Sequence, residues 1–240
     1  MNNLETEISI IDHSNYWIEE PVTVIHCGAH LAEELEEYEG VGWQRIVWIE
    51  SNPNLIPRLT ERLNGHDSST VVNATLWSRT GERLKLKVAN NSYSSSILDF
   101  GTHAETYPDI TFESEIEVQT QTLDLVLSNL HDIIGAFLVL DLQGAELETL
   151  LGGASSLFKF DYIYTEVSKS NLYQDQGSWD QISDLLLAHE FKLVDWQYSS
   201  ELNWGNALYK RSPKSIQSRR IRRKRNLEHQ RRLKSSGGPR

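Results

Sequence analysis

The segment Phe137-Leu138-Val139-Leu140-Asp141-Leu142-Gln143-Gly144-Ala145-Glu146-Leu147 constrains the fold most. Its apolar run does not alternate, which is the pattern of a strand buried on both faces. The run ends on a carboxylate, passes a glycine, and enters Glu146 to Leu157, where Leu147, Leu150, Leu151 and Ala154 recur at helical spacing. Strand, tight turn and helix with an acid at the strand's carboxyl end predict an open α/β sheet, which holds its ligands beyond that end.

The rest of the body repeats this alternation. Val22 to Cys27, Arg45 to Glu50 and Thr70 to Thr75 read as strands, with helices expected over Leu31 to Tyr38 and Pro53 to Leu63, where Pro53 suits a first helical turn. Such βαβ units imply a parallel sheet. Leu84 to Val88 and Glu115 to Gln119 alternate like half-exposed strands, an inserted hairpin. The polar loop between them, Asn90 to Pro108, is long enough to expect a function of it. A fifth parallel strand (Tyr162 to Val167), a helix from a Ser178 cap to Glu190, and strands Lys192 to Tyr198 and Asn206 to Arg211 complete the pattern.

Charge divides the chain. The net charge is −11, yet residues 211–240 carry 12 Lys/Arg against the single acid Glu228, while the remainder holds 11 basic and 33 acidic side chains. The expected organisation is an N-terminal extension (1–16), a domain (17–210) and a basic tail (211–240) that is disordered alone. Ile221, Leu227 and Leu233 fall six apart, about 240° per step on a helix, so the tail forms no apolar stripe and reads as polyanion-binding or as folding back on the acidic body. No apolar run approaches the roughly 18 residues of a membrane span, and the acidic, polar start lacks the basic opening of a signal peptide. The lone Cys27 cannot form an internal disulfide, so the expected location is the cytoplasm.

The first strand leads into Gly28, where a bare backbone allows close approach to a ligand and the following helix start offers N–H groups to an anionic moiety. The second strand ends on Glu50, about 20 residues on, where nucleotide-binding folds place the acid that grips ribose hydroxyls. A dinucleotide fingerprint needs further glycines, and this chain has His30 and Glu33 at those positions, with Glu34, Glu36 and Glu37 beside them. A pyrophosphate is therefore disfavoured. A cationic ligand with an adenosine and an amino-acid tail suits the acidic body, and S-adenosylmethionine is such a ligand.

Six blocks occur in the order found in FkbM-type S-adenosylmethionine-dependent methyltransferases. They are Val24 to His30, Trp48 to Pro53, Ser94 to Leu98, Leu140 to Leu147, Tyr164 to Val167 and Trp204 to Tyr209. The chain resembles that family over about residues 20 to 210. The resemblance implies a class I methyltransferase fold, a Rossmann-like three-layer sandwich whose mostly parallel seven-stranded sheet has its last strand antiparallel. It also implies methyl transfer to a hydroxyl, often of a sugar or other small or glycan acceptor. Carried over by position, Gly28 and His30 would line the methionine end of the cofactor, Glu50 and Ser51 its ribose, Asn73 and Leu76 its adenine, and Asp141 the reaction centre. The chain departs from the family's usual pattern at His26, His30 and Ala32, where the family has Asp, Asn and Gly.

Methyl transfer to oxygen needs the reacting atoms held in line and a base for the hydroxyl proton. Asp141 is the first candidate base, with Glu166 at the next strand end and His30 behind it. Ser94, Ser95 and Ser96 read as a cleft lid with hydroxyl donors, and Tyr173 and Trp204 as aromatic surfaces for a sugar, with packing as the alternative. His26, in a buried strand, reads as a hydrogen-bonded core histidine. No metal is expected, because nothing in the spacing of His26, His30, Asp141 and Glu166 demands one. Base N-methylation is disfavoured by the absence of an Asn/Asp-Pro-Pro-aromatic run, whose position Asp141 to Gly144 occupies. The altered first turn keeps a second reading open: a non-catalytic methyltransferase-fold module docked on RNA or an anionic partner by its tail.

Overall fold

The computed structural model describes residues 22–131, 133 and 135–212. The chain runs β1 (Thr23–Cys27), α1 (Leu35–Val41), β2 (Arg45–Glu50), α2 (Ile56–Arg62), β3 (Ser69–Asn73), β4 (Thr75–Leu76), β5 (Arg83–Ala89), α3 (His103–Thr106) and β6 (Phe112–Gln121). It continues through α4 (Leu123–Ser128), β7 (Ala136–Leu140), α5 (Glu146–Gly152), a 3₁₀ turn (Leu157–Lys159), β8 (Phe160–Ser168), α6 (Trp179–Ala188), β9 (Phe191–Ser199) and β10 (Trp204–Arg211). Seven strands form one sheet in the order β3-β2-β1-β7-β8-β10-β9. β1 pairs in parallel with both β2 and β7, and β10 runs antiparallel to both β8 and β9. This is the class I methyltransferase sheet, with its last strand reversed as expected.

Every residue of β1 and of β7 is buried, which is why their apolar runs do not alternate. Ile25, Val47, Ile49, Leu138 and Leu140 face one core with Leu127, Leu150 and Leu186, whereas Val24, Trp48, Phe137 and Val139 face a second with Leu35, Tyr38 and Leu59. Helices thus cover both faces. The strand order turns back between β1 and β7, so chain leaves their carboxyl ends in opposite directions and a crevice opens there. The expected hairpin is present: β5 and β6 pair antiparallel, and β4 joins them in a three-stranded sheet.

Several boundaries differ from the sequence expectations. α1 begins at Leu35 rather than Leu31, because His30 (φ 41°) and Ala32 (φ 57°) are left-handed and cannot extend a right-handed helix. The turn after Gly28 is therefore not a helix N-terminus. α2 begins at Ile56, and Pro57 rather than Pro53 takes the first-turn position. Asn52 ends the preceding turn, its Oδ1 accepting from Asn54 N at 3.0 Å and its carbonyl from Leu55 N at 3.1 Å. The third strand breaks at Ala74, whose N–H bonds the Glu50 carbonyl, and Thr75–Leu76 pass to the smaller sheet. α5 stops at Gly152, where a Cβ would lie 2.2 Å from the Trp77 carbonyl oxygen.

Arg211, assigned by composition to the basic tail, is the last residue of β10. It is only 4% exposed, its guanidinium donates to the carbonyls of Phe160, His189 and Leu157, and it rests on the Phe191 ring at 4.2 Å. A buried guanidinium with its donors satisfied is part of the domain. Residues 213–240 and 1–21 lie outside the described residues. Among those described, no helix is long and apolar enough to cross a membrane.

Candidate functional site

The carboxyl ends of β1, β2, β7 and β8, together with the segment between β5 and β6 and the start of β10, enclose a cleft of about 480 Å³. On its β2 side the main chain fixes a carboxylate. Glu50 Oε2 accepts from His30 N at 2.8 Å and Oε1 from Asn52 N at 2.6 Å, leaving Glu50 only 8% exposed. Burial pushes the Glu50 carboxyl above its ordinary range, against the two N–H groups, which favour the ionised form. Each oxygen keeps further lone pairs for a ligand hydroxyl.

Gly28 lines the cleft, and its bare backbone serves another contact as well. At φ 91° a Cβ there would stand 1.7 Å from the Asp141 carbonyl oxygen, so the glycine lets the β1 turn press against the end of β7. Asp141 N completes this join by donating to Cys27 O at 3.0 Å. His30 spans from this turn to the β5–β6 segment: Nδ1 meets Glu33 Oε1 at 2.7 Å, Nε2 meets Ser92 Oγ at 2.8 Å, and the ring lies 4.3 Å from that of Tyr93. His26 is a core histidine, bonded through Nδ1 to Tyr38 Oη at 2.9 Å and set against Trp48. Burial lowers its pKa to about 4, although the charges of Asp141 and Glu33 oppose the shift.

Asp141 is exposed to the cleft and oriented by its own turn. Gln143 Nε2 donates to Asp141 Oδ1 at 2.6 Å, and Tyr173 Oη donates to Gln143 Oε1 at 2.6 Å. Ser96 Oγ holds the Gln143 carbonyl at 2.7 Å. Glu146, which sequence reasoning did not assign to the site, braces the turn from beneath by accepting from Leu142 N at 2.8 Å and Gly144 N at 3.3 Å. Burial raises its pKa to about 7, and Asp141's charge adds to the shift. Glu166, half-buried at the end of β8, is pushed well above the carboxylate range, first by burial and then by the charges of Asp141 and Glu146. Three carboxyl groups thus meet where β7 and β8 end, and their proximity favours the protonated form of Glu166.

Of the other expected cofactor residues, Ser51 and Leu76 line the cleft, and Ser51 Oγ bonds Thr75 Oγ1 at 2.8 Å. Asn73 stands outside the lining, its Nδ2 turned back onto the Glu50 carbonyl at 2.8 Å, where it ties β3 to β2. Ser94, Ser95 and Ser96 all line the cleft. Each is tied down: Ser94 to Asn91, Ser95 to the Ser92 carbonyl and Ala89 N, Ser96 to Gln143. Tyr173 is 1% exposed, its ring packed beside Phe100 and His103. Trp204 lines the cleft and donates from Nε1 to Tyr107 Oη at 3.2 Å. His103 and Tyr107 were also missed: their rings cluster with that of Phe100, but α3 spans only His103–Thr106, so no helical periodicity marks them in the sequence.

Among the described residues the lining carries five carboxyl groups, Glu34, Glu37, Glu50, Asp141 and Glu166, and no lysine or arginine. Such a cleft attracts a cation and repels a pyrophosphate. Fold and cleft together define a class I methyltransferase. Residues 26–193 match the methyltransferase FkbM domain model, and the chain belongs to that family. It is 29% identical over 153 residues to the 2-O-methyltransferase NoeI of Sinorhizobium fredii, a match covering 61% of this chain and 63% of NoeI. The chain thus spans less than two thirds of that relative's length. The crystal structure of methyltransferase FkbM from Methylobacillus flagellatus superposes with a TM-score of 0.51 at 16% identity, over 78% of this chain and 43% of that one.

Proposed function

We propose that the chain is an S-adenosylmethionine-dependent O-methyltransferase acting on a hydroxyl of a sugar or other small or glycan acceptor. The observation that carries this reading is the cleft's acidity: five carboxyl groups and, among the described residues, no lysine or arginine, with one carboxyl fixed on both oxygens by main-chain N–H groups. These features fit a sulfonium ligand with a ribose. Glu50 would hold the ribose hydroxyls, Ala74 to Leu76 with Leu55 would flank the adenine, and Gly28 and the His30 turn would border the methionine end. When bound, S-adenosylmethionine supplies an electrophilic methyl group.

The chain's own residues do the rest. Gln143 holds Asp141 Oδ1, and the carboxylate so oriented would position the acceptor hydroxyl and take its proton. Glu166, whose carboxyl is pushed above the carboxylate range by burial and by Asp141, would in its protonated form donate a hydrogen bond to the acceptor. The partly apolar walls exclude water from the reacting oxygen. That NoeI is a 2-O-methyltransferase supports oxygen as the target.

The test is to incubate the protein with methyl-labelled S-adenosylmethionine and a cell extract and to identify the labelled product. Base-stable label, carried as a methyl ether on a former hydroxyl oxygen of an uncharged acceptor, is expected. Label on nitrogen, or none in any product, would overturn the proposal.

A further inference from the structure

The cleft's β10 side has a polar atom with nothing to bond. His103 is 5% exposed and lines the cleft, and its Nδ1 is buried without a hydrogen-bond partner among the described residues. Leaving such an atom unmet costs about 1–3 kcal/mol, so an unmet one at a cleft wall marks a place where a ligand or water is expected. The ring itself is firmly held. Phe100 stacks behind it at 4.3 Å and 8°, Tyr107 and Tyr173 flank it at 5.0 and 5.4 Å, and the backbone N–H of His103 donates to the Leu172 carbonyl at 3.1 Å.

Around it the wall is apolar and aromatic: Tyr107, Ile110, Leu172 and Trp204, with Asn206 at the rim. A pyranose presents the complement, a C–H face for rings and hydroxyls at its edge. A carboxylate or phosphate on that sugar would face the Asp141 carboxylate, and no lysine or arginine among the described lining residues offsets the repulsion. Burial holds His103 below its ordinary pKa, and the phenol rings of Tyr107 and Tyr173 pack beside it. The imidazole is therefore neutral, with one donor and one acceptor nitrogen, a match for a hydroxyl that also does both.

Building on the methyltransferase reading, we propose that His103 is the polar contact of an acceptor seat for an uncharged pyranose, whose C–H face lies on the Tyr107–Trp204 wall. His103 would touch the sugar and select against acidic ones.

Imidazole NMR of the full chain tests this. The probes are the methyl pyranosides of glucose, galactose and mannose, with glucuronate as the charged counterpart and S-adenosylhomocysteine titrated separately. A neutral glycoside should shift the His103 resonances and glucuronate should not. His103→Phe, which keeps the stacked ring, should weaken glycoside binding roughly 3- to 10-fold, the worth of one hydrogen bond, and leave S-adenosylhomocysteine affinity unchanged. Unmoved His103 resonances, equal binding of glucuronate, or equal glycoside affinity in His103→Phe would each overturn the proposal. Failure of S-adenosylhomocysteine to bind the unaltered chain would instead strike the cofactor reading, while the glycoside shifts would still decide the seat.

Discussion

The two sides of the cleft are built in different ways. On the β2 side a carboxylate is fixed by backbone: Glu50 between His30 N and Asn52 N, at the end of a strand buried on both faces. On the β10 side the wall is made of side chains held by other side chains, with Trp204 Nε1 on Tyr107 Oη and His103 stacked on Phe100. Asp141 sits between the two, at the end of β7. A site held by backbone keeps its shape when one side chain changes, and suits a constant ligand. A wall of side chains can be remade by a few substitutions, and suits a ligand that varies within a family.

The largest effect should come at the junction. Asp141→Asn should lower turnover roughly 10²- to 10⁴-fold, as expected for loss of a general base, with cofactor affinity held within about twofold. Single-turnover methyl transfer measures it, and an unchanged rate would remove Asp141 as the base.

Gly28→Ala strikes the backbone-built side. Its Cβ would collide with the Asp141 carbonyl at a φ of 91°, so unfolding in urea should show a loss of roughly 2–4 kcal/mol. A variant as stable as the parent would show that the β1 turn can move away from β7.

Beneath the same side, His26 titrates at about 4 in the folded chain and near 6.5 when unfolded. Between these values the unfolded chain binds more protons, so stability rises with pH. The contribution of a neutral His26 is whole above pH 6.5 and is lost as pH falls towards 4, about 3 kcal/mol in all. His26→Gln lacks this titration. The stability difference between parent and variant should shrink by about that amount over the window, and parallel curves would show that His26 is not held neutral.

The same contrast explains what the sequence reveals. β1, β2 and β7 are legible because burial on both faces writes itself as an unbroken apolar run, and Glu50 and Asp141 are legible because each ends such a run. The α1 start was not, because it depends on left-handed His30 and Ala32, conformations set by a hydrogen bond to a residue on another strand. His103 was hidden for a stronger form of the same reason. Gly101, Thr102 and His103 are fixed by carbonyls of Asn171 and Leu172, about seventy residues later in the chain. A Cβ at Gly101 would lie 2.0 Å from the Asn171 oxygen, so even that glycine answers to a distant segment. Arg211 was read in two ways, as the end of the last strand by pattern and as the start of the tail by composition, and the strand reading is the one the structure shows, because composition counts a buried arginine as it counts an exposed one.

The central claim is that the backbone-fixed Glu50 is the ribose anchor of an S-adenosylmethionine site. Calorimetric titration of S-adenosylmethionine into the parent chain and Glu50→Gln tests it most directly. The account predicts one site per chain in the parent and affinity weaker by roughly 10- to 150-fold in the variant, the worth of hydrogen bonds to a charged acceptor. No binding to the parent, or equal binding to both, would contradict it.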